Sequence, residues 1–199
     1  MKKNLILTFI SAVIICSCGG DTGTTVPPFS EEEIQKQSNF ALIDNIFLYA
    51  YLISSKYSQS LPFTITSTTV KGEHGTVTFS GLSSEINDSI ILFLSGTFNR
   101  FNSYISEITE CRSSDTVFLD KNTKHLLEYR TDLHNCVIKS VIGISKFSGS
   151  IHLNPITVTK QTDTTITLRA PCQISGLLQS SSYDWNIDEH QTVEMIFRK

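Results

Sequence analysis

Two periodicities divide the chain. From Phe29 to about Tyr57 the apolar residues recur at helical spacing, with Ile43, Ile46, Phe47, Ala50, Ile53 and Tyr57 on one stripe. The start is signalled by Phe29-Ser30-Glu31-Glu32-Glu33-Ile34. Ser30 can cap the first turn, Glu33 completes a capping box, and Phe29 and Ile34 are spaced for a hydrophobic staple. Three glutamates suit the positive end of the helix dipole. Leu48, Tyr49, Tyr51 and Leu52 fill the other faces, so between Ile46 and Ile53 only tyrosine hydroxyls are polar. A helix apolar nearly all round must be enclosed, because leaving it in water would expose a large apolar patch. Asp44 and Asn45 cut the apolar run too short for a membrane span. The expectation is a helix cradled by a curved sheet.

After Ser60 the period falls to two. Phe63 and Ile65, Val77 and Phe79, Ile156 and Val158, Ile166 and Leu168, and Val193, Met195 and Phe197 alternate with mostly Thr, Ser and charged residues. The run SIILFL, residues 89–94, is apolar on both faces and predicts a central strand. Together these elements predict an α+β domain: one N-terminal helix packed on a strongly curved antiparallel β-sheet of about eight to ten strands, half-barrel or sandwich-like. Phe79-Ser80-Gly81, Leu94-Ser95-Gly96, Phe147-Ser148-Gly149 and Ile174-Ser175-Gly176 repeat a short motif without a fixed period. Bulges and bends explain it better than close approach of a ligand.

Ahead of the helix the pattern is of another kind. Met1-Lys2-Lys3 precedes an apolar run from Leu5 to Ile15, the layout of a secretory signal. The run falls short of the roughly 20 residues of a permanent span. An uncleaved anchor and a plain secretory signal are the alternatives. Ile15-Cys16-Ser17-Cys18 resembles the bacterial lipobox: Ile15 lies three before Cys18, and the small Ser17 directly before it. The resemblance covers about twenty residues, and Cys16 departs from the usual small or aliphatic residue. It implies cleavage after Ser17 and acylation of Cys18 with a diacylglycerol thioether, often with a third amide-linked chain. Two or more chains give stable membrane attachment. It also implies a bacterial cell-envelope location, facing periplasm or cell exterior. Gly19 in place of Asp resembles lipoproteins sent on to the outer membrane. Residues 19–28, GGDTGTTVPP, then read as a tether reaching about 33 Å when extended. The expected organisation is a signal peptide at 1–17, a tether at 18–29 and a single domain at 30–199.

Charge changes the picture little. The 199 residues carry a net charge of −3, and −5 without residues 1–17, which hold Lys2 and Lys3 and no acid. Mild acidity with no basic run gives no reason to expect nucleic acid. Cysteine usage says more. With Cys18 acylated, Cys111, Cys136 and Cys172 remain. A hairpin centred on Lys121-Asn122-Thr123-Lys124 brings Cys136 within one bulge of the position opposite Cys111. A Cys111–Cys136 disulfide is therefore expected in an oxidising compartment, and Cys172 reads as a small buried hydrophobe.

Catalytic chemistry finds no motif. His125, His134 and Cys136 have only weak metal-like spacing, and a disulfide would remove the thiolate. Asp184-Trp185-Asn186-Ile187-Asp188-Glu189-His190 gathers acids, an imidazole and the single Trp, and reads as a polar connection before the last strand. An enzymatic reading would need turnover dependent on Asp184, Asp188 or His190. No catalytic residue, metal ligand or cofactor is nominated. Two functions remain. One is a non-catalytic envelope lipoprotein whose Thr-studded sheet face or loops meet a partner such as an envelope protein. The other is a carrier or sensor of an apolar ligand such as a lipid, held between helix and sheet, with Ile46, Phe47, Ala50 and Ile53 as lining. The general layout is similar to that of lipoprotein carriers of bacterial envelopes.

Overall fold

The structure, a computed structural model, describes residues 29–57, 63–103 and 106–198. The stretch expected to be a lipobox, with Cys18, and the expected tether up to Pro28 lie outside the described residues. Helix α1 spans Glu31–Lys56. The capping box forms: Glu33 N–H donates to Ser30 Oγ at 3.3 Å, and Ser30 N–H donates to Glu33 Oε2 at 2.8 Å. The helix ends at Tyr57, whose N–H reaches the Ile53 carbonyl at 3.3 Å.

Eleven strands follow among the described residues. They are β1 (Thr64–Lys71), β2 (Thr76–Ile86), β3 (Ser89–Asn99), β4 (Phe101–Asn102), β5 (Glu107–Thr109) and β6 (Arg112–Asp120), then β7 (Leu126–Ser140), β8 (Gly143–Leu153), β9 (Thr157–Gln161), β10 (Thr165–Gln179) and β11 (Asp184–Arg198). All pair antiparallel in one sheet of order β1-β2-β3-β6-β7-β8-β10-β11, with β4 on β5, β5 also on β7, and β9 on β10. A single continuous sheet is not a sandwich. Its edges β1 and β11 do not pair with each other, so it is not a closed barrel either. The fold is α+β, one helix on a large antiparallel sheet.

The helix packs along β7 and also touches both edge strands, β1 and β11, which only a sheet wrapped around it allows. Ala41, Leu42, Ile43, Ile46, Phe47, Tyr49, Ala50 and Ile53 are buried, covering nearly every face of α1. One polar anchor sits among them. Asn45 Nδ2 donates to Ser106 Oγ (2.7 Å) and to the Ala41 carbonyl (2.9 Å), and its Oδ1 accepts from Ser103 N–H (2.8 Å).

Two of the four motif copies face a register shift: 79–81 opposite Ile65 to Thr68 of β1, and 147–149 opposite β7. Between 147–149 and 174–176 the pairing is regular, and the glycines instead allow a close crossing. Gly149 of β8 faces Gly176 of β10. A Cβ on Gly149 would fall 2.1 Å from the Ser175 carbonyl oxygen, and Gly176 holds a φ of +148°, so side chains are excluded from this crossing. In β7 the register slips between Leu133 and Cys136, with Asn135 at φ 54°. That bulge brings Cys136 to Cys111, and the two buried cysteines form the expected disulfide with their Cα atoms 4.0 Å apart.

Two expectations need amendment. SIILFL is central, pairing β2 and β6, yet its second apolar face is uncovered: Phe93 is 51 % exposed. The stretch from Asp184 to His190 is not a connection but the first half of β11. Its alternation turns Trp185 inward, where Nε1–H donates to Glu31 Oε1 at 2.8 Å and ties the helix start to the sheet edge. Trp185→Phe is expected to lower stability by about 1–2 kcal/mol, since a hydrogen bond to a carboxylate is lost. Hydrogen exchange should quicken first in the initial turn of α1. Unchanged exchange there would contradict the tie.

Candidate functional site

The interface between helix and sheet is filled. Ile46, Phe47, Ala50 and Ile53 have 0 % exposure, and Phe47 meets Phe197 edge to face at a ring separation of 5.5 Å. These four side chains are core rather than the wall of an open chamber.

At the centre of that interface lies a carboxyl group. Asp115 on β6 points toward the helix and is buried. Tyr129 Oη–H donates to its Oδ1 at 2.6 Å, while Ser113 Oγ–H and Tyr49 Oη–H donate to Oδ2 at 2.8 and 3.2 Å. Gly96 makes room for this cluster: a Cβ there would lie 2.5 Å from Ser113 Oγ and 2.9 Å from Tyr49 Oη. Burial raises the Asp115 pKa, opposed by bonds from Tyr129, Ser113 and Tyr49. Burial and the neighbouring carboxyl push both tyrosines well above 10, so they stay protonated donors. Tyr49 is also ringed by Phe98, Phe79, Phe101 and Tyr129 in edge-to-face contacts. A carboxylate enclosed this way ties the helix to strands β6 and β7.

The opposite face of the sheet is different. Because β2, β3, β6, β7, β8, β10 and β11 are in register, Ser80, Ser95, Ser114, Asp132, Ser150, Ser175 and Asp188 stand in one row across them. A parallel row runs Thr69, Thr78, Thr97, Arg112, His134. Small hydroxyl side chains between longer neighbours leave a groove of about 500 Å³, lined by Ser67, Thr78, Ser80, Ser95, Thr97, Arg112, Ser114 and His134. Leu82 and Phe93, directly opposed and about half exposed, flank it on the other side of the serine row. A second groove, about 410 Å³, lies over β8, β10 and β11 between His152, Gln173 and His190.

The residues singled out for chemistry do not converge. His125 follows the β6–β7 turn, His134 is on the outer face, and Cys136 is in the disulfide. Among the described residues no three metal-ligating side chains come together. On β11, Asp184 accepts from Gln179 Nε2 at 3.3 Å, and Asp188 and His190 approach only to 3.9 Å, both largely exposed. Cys172 is buried beneath the second groove, its thiol pushed up to about 12 by burial. Sequence reasoning missed Asp115, the inward Trp185 and the hydroxyl rows. The alternation of strand β6 did carry a signal for the first, because Asp115 shares its parity with Val117 and Leu119.

What fold and surface define is a one-helix, open-sheet α+β protein with a filled core and a grooved, hydroxyl-lined outer face. Compared with protein-family models, with characterised proteins and with solved structures, the chain matches none.

Proposed function

We propose that the chain is a lipid-anchored bacterial envelope lipoprotein whose outer sheet face binds a partner without catalysing a reaction. The observation that carries this reading is the division of the sheet. Its inner face is closed over the helix, while its outer face combines a hydroxyl-lined groove with Leu82 and Phe93 left in water. Exposed apolar side chains beside a polar groove mark an interaction surface. The lipobox-like Ile15-Cys16-Ser17-Cys18 supports anchoring through Cys18, and the Cys111–Cys136 bond suits an oxidising compartment. The carrier reading has less support, since Ile46, Phe47, Ala50 and Ile53 already touch protein on every side.

Two measurements test this. Radiolabelled palmitate should enter the wild-type chain and not the Cys18→Ser variant, which should leave the membrane fraction. Label retained in Cys18→Ser would overturn the anchor. Native mass spectrometry of the full chain should show no bound lipid beyond the acyl groups on Cys18. A stoichiometric extra lipid would favour the carrier instead.

A further inference from the structure

We propose that the groove across β1, β2, β3, β6 and β7 binds an acidic polysaccharide, taking its anionic group at Arg112 and stacking a sugar ring on Phe93. The assignment rests on the outer face being the binding surface.

Three independent features of the groove specify the ligand. The first is its donor set. Among the described residues Arg112 and His134 make no side-chain hydrogen bond or ion pair, and the Ser80, Ser95, Thr97 and Ser114 hydroxyls bond to no protein group. Thr78 is bonded to Thr69 at 3.1 Å. Arginine presents a planar fork of donors suited to carboxylate or sulfate oxygens. Hydroxyls both donate and accept, which matches sugar hydroxyls and does not match an apolar surface.

The second is charge. No carboxylate lines the groove. The nearest acid in register is Asp132, opposite Ser114 and two residues before His134 on the same face of β7. Arg112 is the one formally charged side chain of that lining, in a chain of net charge −3, so an anionic group is accommodated at this one position rather than by general attraction. The acidic unit therefore sits on Arg112, away from Asp132, and the neutral part of the chain follows the Ser95 and Ser80 end of the serine row.

The third is geometry. Adjacent strands are ~4.8 Å apart, close to the length of one sugar unit in a polysaccharide, so each hydroxyl in a row can meet a successive unit. Phe93 borders the same row. The C–H face of a pyranose stacks on an aromatic ring, and a ring half in water beside a hydroxyl row is placed for that contact. A lipid would leave the hydroxyls unpaired, and a compact anion would not use Phe93.

The full-length protein in detergent should be titrated calorimetrically with polygalacturonate, dextran sulfate and neutral dextran. At least one of the acidic polymers should bind, with affinity falling as salt rises, and neutral dextran should bind at least tenfold more weakly. Arg112→Ala should weaken binding about tenfold and flatten the salt dependence. Phe93→Ala should weaken it several-fold with the salt dependence intact. Lys160→Ala, on exposed β9 away from the groove, should change nothing. Near-UV circular dichroism checks that each variant is folded. Equal binding of neutral and acidic polymers, or equal loss in Lys160→Ala and Arg112→Ala, overturns the acidic-glycan assignment. If no polysaccharide binds but a protein cross-links to residues placed at Phe93, Ser95 or Ser114, the assignment fails while the outer face stands as a binding surface. If neither occurs, both fail.

Discussion

Replacing Asp115 with leucine is expected to destabilise the protein by about 4 kcal/mol. The carboxylate is the common acceptor of Tyr129, Ser113 and Tyr49, from three elements of the core. Leucine removes all three acceptances at once and strands three hydroxyls where water cannot reach them, each at a cost of about 1–3 kcal/mol before they re-pair. Asp115→Asn keeps the volume and one acceptor oxygen, so its loss should be smaller. The asparagine variant also exposes the titration. In the unfolded chain Asp115 ionises near its ordinary value of 3.8; in the folded protein burial moves that ionisation upward. The proton it holds therefore favours the folded state fully below the ordinary value, and that contribution is lost as pH rises through the folded one. Wild-type stability minus that of Asp115→Asn should thus shrink as pH climbs from about 4, then level off. Urea denaturation across this range measures it. A difference that grows with pH would mean that the three hydroxyls outweigh desolvation and hold the carboxylate below its ordinary range.

Loss of the Cys111–Cys136 bond should cost about 3 kcal/mol, the chain-entropy value for a loop of this size. The bond joins residues 25 apart across the β7 bulge, and both cysteines are buried. The double variant Cys111→Ala/Cys136→Ala should unfold at lower urea concentration than the wild type in the absence of reductant. Dithiothreitol should bring the wild type down toward the variant and leave the variant unmoved. Cys172, buried with its thiol pushed up to about 12, should not exchange into the bridge. A wild-type midpoint indifferent to reductant would refute the bond and weaken the case for an oxidising compartment.

These two sites differ in how legible they are from residues alone. The disulfide follows from local arithmetic: a turn-forming KNTK fixes the hairpin, and the hairpin brings the cysteines within one residue of each other. The Asp115 cluster does not. Tyr49 lies 66 positions away on the helix, and an aspartate in an alternating strand looks like any polar residue until its neighbours are known. The outer groove is similar. Thr and Ser abundance is plain in the sequence, but Arg112 and His134 become neighbours only through the β6–β7 register. Trp185 misled because acids and amides around it resemble a loop, whereas pairing with β10 makes the stretch a strand and turns the ring inward.

The sequence by itself determined what depends on near neighbours. The cap at Ser30, the apolar helix that has to be enclosed, the two-residue alternation and the hairpin that unites Cys111 with Cys136 all arise from interactions within a few residues or one turn. The tertiary structure decided what depends on distant ones. Which way the sheet curves round the helix, that the core is full at Ile46, Phe47, Ala50 and Ile53, which hydroxyls enclose Asp115 and which line a groove were settled by strand order and register. A one-residue change of register reverses the face on which every side chain of a strand lies. Composition cannot encode that choice; the simultaneous packing of an eleven-stranded sheet on one helix does.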